Sequence, residues 1–243
     1  MQRSTEEGLD RAFLSGLSFP PMKTFILDGK SITLPTFCEM VFSQEATFKL
    51  AESARAEIKK SRDYIEGRIK NGEVMYGVNT GFGAVSSVRI SDGEIEQLQK
   101  NLIRSHSMGI GEPFTKEQSK GMMILRANTL ARGHSGVRVE VVEKILEFLN
   151  HDVIPVIPSQ GSVGASGDLA PLSHLALALI GEGDVWGGSL KNVKPLELKA
   201  KEGLSLINGC QVMTAVGLLA LHEARELIKL VDISGAMSLE GLR

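Results

Sequence analysis

Apolar residues recur along most of this chain at intervals of three and four, the spacing that places them on one face of an α-helix. Phe48, Ala51, Arg55, Ile58 and Ile65 predict a long first helix ending near Asn71-Gly72, where glycine can adopt the left-handed backbone that stops a helix. Ser91 and Glu94 have capping-box spacing, and Ile95, Leu98, Leu102 and Ile103 behind them mark one buried face; His106 points inward with Leu102 and Ile103. Thr115 and Gln118 open a helix through Leu130, and Val139, Val142, Leu146 and Leu149 define the next. Pro155 and Pro158 interrupt the period. Asp168 is then placed to cap a helix with Pro171 in its first turn and Leu169, Leu172, Ala176 and Leu179 as its apolar stripe. A last helix starts near Asn208 and runs through Val212, Ala215, Val216 and Leu219 past Leu230. Strand patterning is confined to the start, where Phe25-Ile26-Leu27 and Ser31-Ile32-Thr33-Leu34 flank the turn signal Asp28-Gly29-Lys30 and predict a small β-hairpin. The expected fold is mainly α.

Composition narrows the function classes. The 243 residues, 42% hydrophobic and 23% charged, can bury a substantial core as one large domain or two small ones. With 27 Lys and Arg against 29 Asp and Glu, the net charge of −2 offers no basic surface for nucleic acid or an acidic membrane. Lys59, Lys60 and Arg62 alternate with Glu52, Glu57 and Asp63, the pattern of a solvated helix face. Cys38 and Cys210 are too few for a disulfide framework or a zinc site, and Cys210 is expected as a small buried hydrophobe. The run Leu169–Ile180 is too short to span a bilayer, no other run is expected to reach that length, and the N-terminus has no apolar signal block, so the default location is cytoplasmic with no membrane partner. His134, His151, His174 and His222 lack metal-ligand spacing, and no metal is expected.

The run Gly161-Ser162-Val163-Gly164-Ala165-Ser166-Gly167-Asp168-Leu169-Ala170-Pro171 carries the most chemistry. Attack of the Gly167 amide nitrogen on the Ala165 carbonyl carbon closes a five-membered ring, and loss of two waters leaves a methylene where the Ser166 hydroxymethyl stood. The product, 4-methylidene-imidazol-5-one, is an electrophile, which ordinary side chains do not provide. Gly167 contributes an unhindered amide and turn-forming backbone, Ser166 a hydroxyl to eliminate, and Ala165 crowds nothing. An isolated Ala-Ser-Gly is ordinarily only a loop before a helix. A phosphate loop would need a Lys-Ser/Thr pair here, and the Rossmann glycine spacing is absent.

Three further segments occur in the same order as in a known family: Tyr76-Gly77-Val78-Asn79-Thr80-Gly81-Phe82-Gly83, Asn101-Leu102-Ile103-Arg104-Ser105-His106 and Leu206-Ile207-Asn208-Gly209-Cys210-Gln211. With the cyclising run, they resemble the aromatic amino acid ammonia-lyases, the histidine-acting members above all. The resemblance implies a long-helix bundle of the ammonia-lyase and fumarase-like type, and a methylidene-imidazolone formed autocatalytically from Ala165, Ser166 and Gly167 with no external cofactor. It implies that Tyr76 transfers a proton on the β-carbon side of the substrate and that Asn208 orients a carboxylate or stabilises charge on the ring. It also implies that His106 contacts the substrate side chain, where imidazole suits histidine and also fits a tyrosine hydroxyl. Taken alone, Tyr76 beside glycines reads as structural, His106 as a core residue, and Asn208 with Gln211 as a capping box.

The implied reaction is non-oxidative deamination of L-histidine to urocanate and ammonia. A tyrosine ammonia-lyase and an aminomutase, which returns ammonia to the neighbouring carbon, remain as alternatives. The chain matches the N-terminal half of the family: residues 1–21 read as a leader, 22–207 as the lyase domain bearing the prosthetic group, and 208–243 as the start of a central helical bundle. The implied partners, besides the amino acid substrate, are further copies in a homotetramer or a complementary C-terminal half; an inactive fragment or scaffold is the non-enzymatic alternative. The stripe from Val212 to Leu230 is expected to lie exposed and to drive association.

Overall fold

The computed structural model describes residues 23–81, 90–164 and 167–242. The leader, Phe82, Gly83, Ala165 and Ser166 lie outside the described residues. The architecture is mainly α, with short strands that tie loops together.

The predicted N-terminal hairpin is replaced by a parallel pair. Strand β1 (Lys23–Leu27) is succeeded by helix α1 (Leu34–Phe42), and its partner is β2 (Ala46–Leu50), in the register Phe25 to Phe48. The turn itself forms, with Asp28 Oδ1 accepting from the amides of Lys30 and Ser31. The residues after the turn cannot pair as a strand: Thr33 caps α1 and Pro35, which has no N–H, sits in the first turn. Phe48 therefore lies in a strand, stacked on Phe25 with ring centroids 5.7 Å apart, rather than opening the first long helix. That helix is α2 (Glu52–Lys70), ending at Asn71-Gly72 as expected. Arg62 departs from the solvated face: it is buried, and its Nη1 donates to the carbonyls of Gly136 and Ala200.

Helices α3 (Asp92–His106), α4 (Lys116–Ala131) and α5 (Val139–Asn150) match the apolar spacing. Thr115 and Gln118 form the full reciprocal capping box at the start of α4. Ser91 does not cap α3 in this way; its hydroxyl bonds the Glu94 carboxylate instead. Helix α4 is the centre of the core: Met122, Met123, Ile124, Ala127 and Leu130 are fully buried against α1, α2, α5 and the last helix. At the far end of α5, the Asn150 side-chain amide pairs with both backbone groups of Phe48, closing the edge of β2.

The second half holds β3 (Ile110–Pro113), β4 (Ile154–Pro155), β5 (Pro158–Gln160), α6 (Leu169–Leu179), β6 (Val185–Trp186), α7 (Glu202–Ile207) and the long α8 (Gln211–Gly241). Antiparallel pairing of β3 with β5 sets the segment after His106 beside the segment leading into the cyclising run. His174 on α6 reinforces that junction, its Nε2 accepting from the Gly109 amide at 3.0 Å.

The stripe expected to lie exposed from Val212 to Leu230 divides: Val212, Ala215 and Leu219 are buried where α8 packs on α4 and α1, and only its outer part, Leu227, Ile228 and Leu230, is more than half exposed, continued by Val231, Ile233, Met237 and Leu239. The helical stretch Glu202–Gly241 contains an 18-residue window of mean hydropathy 1.7, long and apolar enough by length and composition to cross a membrane, which corrects the expectation that no run reaches that length. Of that window, 39% is buried inside the fold, because its apolar residues include the core positions Leu206, Ile207, Val212, Ala215 and Leu219.

Glu202 joins the layers. Its fully buried carboxylate accepts from Arg138 Nε at 2.8 Å and Nη2 at 2.9 Å, and from the amides of Arg138 and Lys199 at 3.0 and 2.7 Å. Removing one partner of such a buried pair strands the other, so Glu202→Ala is expected to destabilise the fold by about 3 kcal/mol, read as a fall in the urea midpoint. His174 generates a pH prediction. Burial holds its ring pKa below the ordinary 6.5, and the bond from Gly109 needs the neutral ring. The unfolded chain therefore takes up this proton first as pH falls, and stability contributed by the neutral ring is lost below about pH 6.5. His174→Gln keeps an acceptor but no titration, and is expected to flatten the dependence of the urea midpoint between about pH 7 and about pH 5.

Candidate active site

The run from Gly161 to Pro171 follows β5, which ends at Gln160, and Gly164 and Gly167 form an isolated antiparallel bridge, which brings together the backbone on either side of Ala165-Ser166. Gly167 has φ +116°, a conformation that other residues rarely adopt. A methyl group placed on it would lie 3.3 Å from each of three atoms: Asn208 Oδ1, the Gly209 carbonyl oxygen and Leu169 Cδ1. The structure thus brings two of the candidate residues, Gly167 and Asn208, into contact. The adjoining Asp168 amide donates to the Gly209 carbonyl at 2.7 Å and locks the two segments together.

Asp168 does not cap its own helix, contrary to the expectation from sequence. Its fully buried Oδ2 accepts from the amides of Val212 and Met213, both at 3.0 Å, so it caps α8 from across the fold; Oδ1 accepts from Ser162 Oγ at 2.5 Å. The same arrangement overturns the Asn208–Gln211 capping box. Asn208 ends α7, α8 begins at Gln211, and the Gln211 amide turns instead to Arg126 Nη1 at 2.7 Å and Thr129 Oγ1 at 3.1 Å. Cys210, at the N-cap position of α8, is exposed rather than buried, because Asp168 and Arg126 occupy the inner side of the turn.

Tyr76 sits on a loop between α2 and α3, 64% exposed. The loop is held from beneath by two buried polar residues: Asn79 bonds the Met75 amide and the Glu73 carbonyl, and Thr80 Oγ1 accepts from the Gly77 amide. A small apolar cluster of Val78, Ile95 and Ala200 underlies it.

His106 closes α3 and is half-buried, its Nδ1 lying 2.9 Å from the Leu102 carbonyl oxygen. In that bond the carbonyl accepts and Nδ1 donates, and Ser105 Oγ lies 3.0 Å from the same nitrogen. Arg104 fixes this end of the helix through a two-pronged ion pair with Glu182, at 2.7 and 2.6 Å. The atoms that a methyl group on Gly167 would meet first come from Asn208, Gly209 and Leu169, not from Tyr76 or His106.

Sequence reasoning missed the part Asp168 plays in α8 and missed Arg126 altogether. Arg126 had a visible signal: a cation in the apolar stretch Met122-Met123-Ile124-Leu125, in line with Leu130 four residues later. Burial pushes its pKa down to about 10. Among the described residues, no group of three or more His, Cys, Asp or Glu side chains is placed to hold a metal ion.

The histidine ammonia-lyase of Geobacillus sp. (strain WCH70) is 48% identical over 228 residues, which is 90% of this chain and 45% of that protein. The crystal structure of histidine ammonia-lyase from Trypanosoma cruzi superposes with a TM-score of 0.80 and 41% identity, covering 87% of this chain and 42% of the other. Tyrosine aminomutase from Streptomyces globisporus superposes with a TM-score of 0.76 and 38% identity, over 84% of this chain and 40% of the other. The chain spans about half the length of the curated relatives it matches. The family model described as aromatic amino acid lyase matches residues 32–243, and the chain belongs to that family.

Proposed function

We propose that this chain carries the N-terminal part of the active site of a histidine ammonia-lyase, which eliminates ammonia from L-histidine to give urocanate. The observation that carries the reading is Asn208 Oδ1 set against Gly167 beside the Gly164–Gly167 bridge. The similarity to histidine ammonia-lyases over nine-tenths of the chain supports histidine as the substrate.

Ala165, Ser166 and Gly167 fit the methylidene-imidazolone: the flanking backbone is folded back on itself, and Gly167 takes a conformation open to glycine. The group supplies an electrophilic methylene that turns the substrate amine into a leaving group. Tyr76 removes the β-proton. His106 recognises the side chain, its Nε2 lone pair accepting from an imidazole N–H of the substrate. Asn208 orients the substrate carboxylate or offers its amide to charge on the ring.

In this reading residues 22–207 bear the site and 208–243 begin the helical bundle. The apolar side of α8 from Leu227 to Leu239 is covered in the oligomer by the helices that the longer relatives carry beyond the matched half. The reaction runs in the cytoplasm, in keeping with Cys38 and Cys210 as free thiols.

Intact mass and urocanate absorbance test the reading, with the C-terminal half supplied where the chain alone does not turn over. Ring closure lowers the mass by about 36 Da, two waters. Ser166→Ala is expected to abolish both the deficit and urocanate production, whereas Tyr76→Phe keeps the deficit and loses about 10²- to 10⁴-fold in kcat. A wild-type chain of unmodified mass that yields no urocanate in that assembly would overturn the reading, and a β-amino acid product would make it an aminomutase.

A further inference from the structure

Arg126 is 2% exposed in the middle of α4, surrounded along the helix by fully buried apolar residues. None of the described carboxylates forms an ion pair with it, and among the described residues its Nε has no hydrogen-bond partner. A buried cation without a counter-charge destabilises a fold unless its hydrogen bonds achieve something in return. Among the described residues its hydrogen bonds go to one turn: Nη1 donates to Gln211 Oε1 at 2.7 Å and Nη2 to the Asn208 carbonyl at 3.2 Å. Gly209 lies inside this fork, where a methyl group would overlap Arg126 Nη1 and Gln211 Oε1, so a side chain there would have to displace the ends of the fork.

The opposite side of the same turn is the part that meets the cyclising segment. The Gly209 carbonyl accepts from the Asp168 amide, and Asn208 Oδ1 lies against Gly167. The turn is therefore clamped between Arg126 on one side and Gly167-Asp168 on the other. We propose that Arg126 is a positioning residue, which holds the Asn208–Gln211 turn so that the Asn208 side chain stays against Gly167. Its catalytic meaning rests on the lyase reading; the placement of the turn does not. The two acceptors lie on different residues and need a planar, forked donor. Lysine keeps the cation, but its donors radiate from one nitrogen and do not reproduce the spacing of Nη1 and Nη2.

Hydrogen–deuterium exchange on the assembled protein tests the clamp. In Arg126→Lys, the Val212 and Met213 amides, which bond Asp168 Oδ2, are expected to exchange about tenfold faster, while the α5 amides from Ile145 to Leu149 keep their wild-type rates. Gln211→Met, which removes one acceptor and leaves Arg126 in place, should give the same local acceleration. Kinetics supply the functional arm: Arg126→Lys is expected to retain the mass deficit and KM but lose about 100-fold in kcat. Wild-type exchange at Val212 and Met213, equal acceleration throughout α5, or unchanged kcat in the lysine variant would overturn the inference. A wild-type protein lacking both mass deficit and turnover would instead count against the lyase reading, and the exchange arm would still decide what Arg126 does.

Discussion

The start of a helix presents backbone N–H groups with no acceptor of their own, and α8 meets that need with a carboxylate from another part of the chain. Asp168 is fully buried and accepts from Val212, Met213 and Ser162. These are charge-assisted bonds at the positive end of a helix, among the stronger polar contacts a buried carboxylate can make. Through them the beginning of α6, the loop before it and the beginning of α8 become one unit. The contact between Gly167 and Asn208 results from that union, since neither residue reaches the other through its own helix.

The rest of the fold supports this junction from two directions. From below, α4 contributes an apolar floor and a cation, Arg126, that reaches the Asn208–Gln211 turn. From the side, β3 pairs with β5 and His174 holds Gly109, so the segment after His106 and the cyclising run share a backbone framework. Tyr76 is supported separately, by Asn79 and Thr80 beneath its loop. Loops that carry chemistry are often built in this way, with exposed side chains mounted on buried polar anchors.

The outer part of α8 contrasts with this packed region. Leu227, Ile228, Leu230, Val231 and Ile233 are each more than half exposed on a helix whose first turns belong to the core. The chain covers 45% of the length of a curated relative, and the exposed segment continues directly from the part that packs on α4. One helix thus serves the internal core at its start and presents an apolar surface along the remainder.

Local features were legible in the residues themselves. The capping box at Thr115 and Gln118, the stop at Asn71-Gly72 and the apolar faces of α3 to α5 depend on neighbours within a turn or two, where spacing determines geometry. The family was legible for a related reason: the Ala165-Ser166-Gly167 run and the motifs around Tyr76, His106 and Asn208 carry it in their residue types and order, and the family model matches residues 32–243. The tertiary structure decided what lies between distant segments. It exchanged the hairpin for a parallel pair, since a strand's partner is chosen by the packing of Phe25 on Phe48 and not by the adjacent turn. It turned Asp168 from the cap of α6 into the cap of α8, and Gln211 from a capping residue into the acceptor for Arg126. A hydrogen-bonding side chain takes the best acceptor or donor that folding brings within reach, and for a buried group that partner need not be near in sequence.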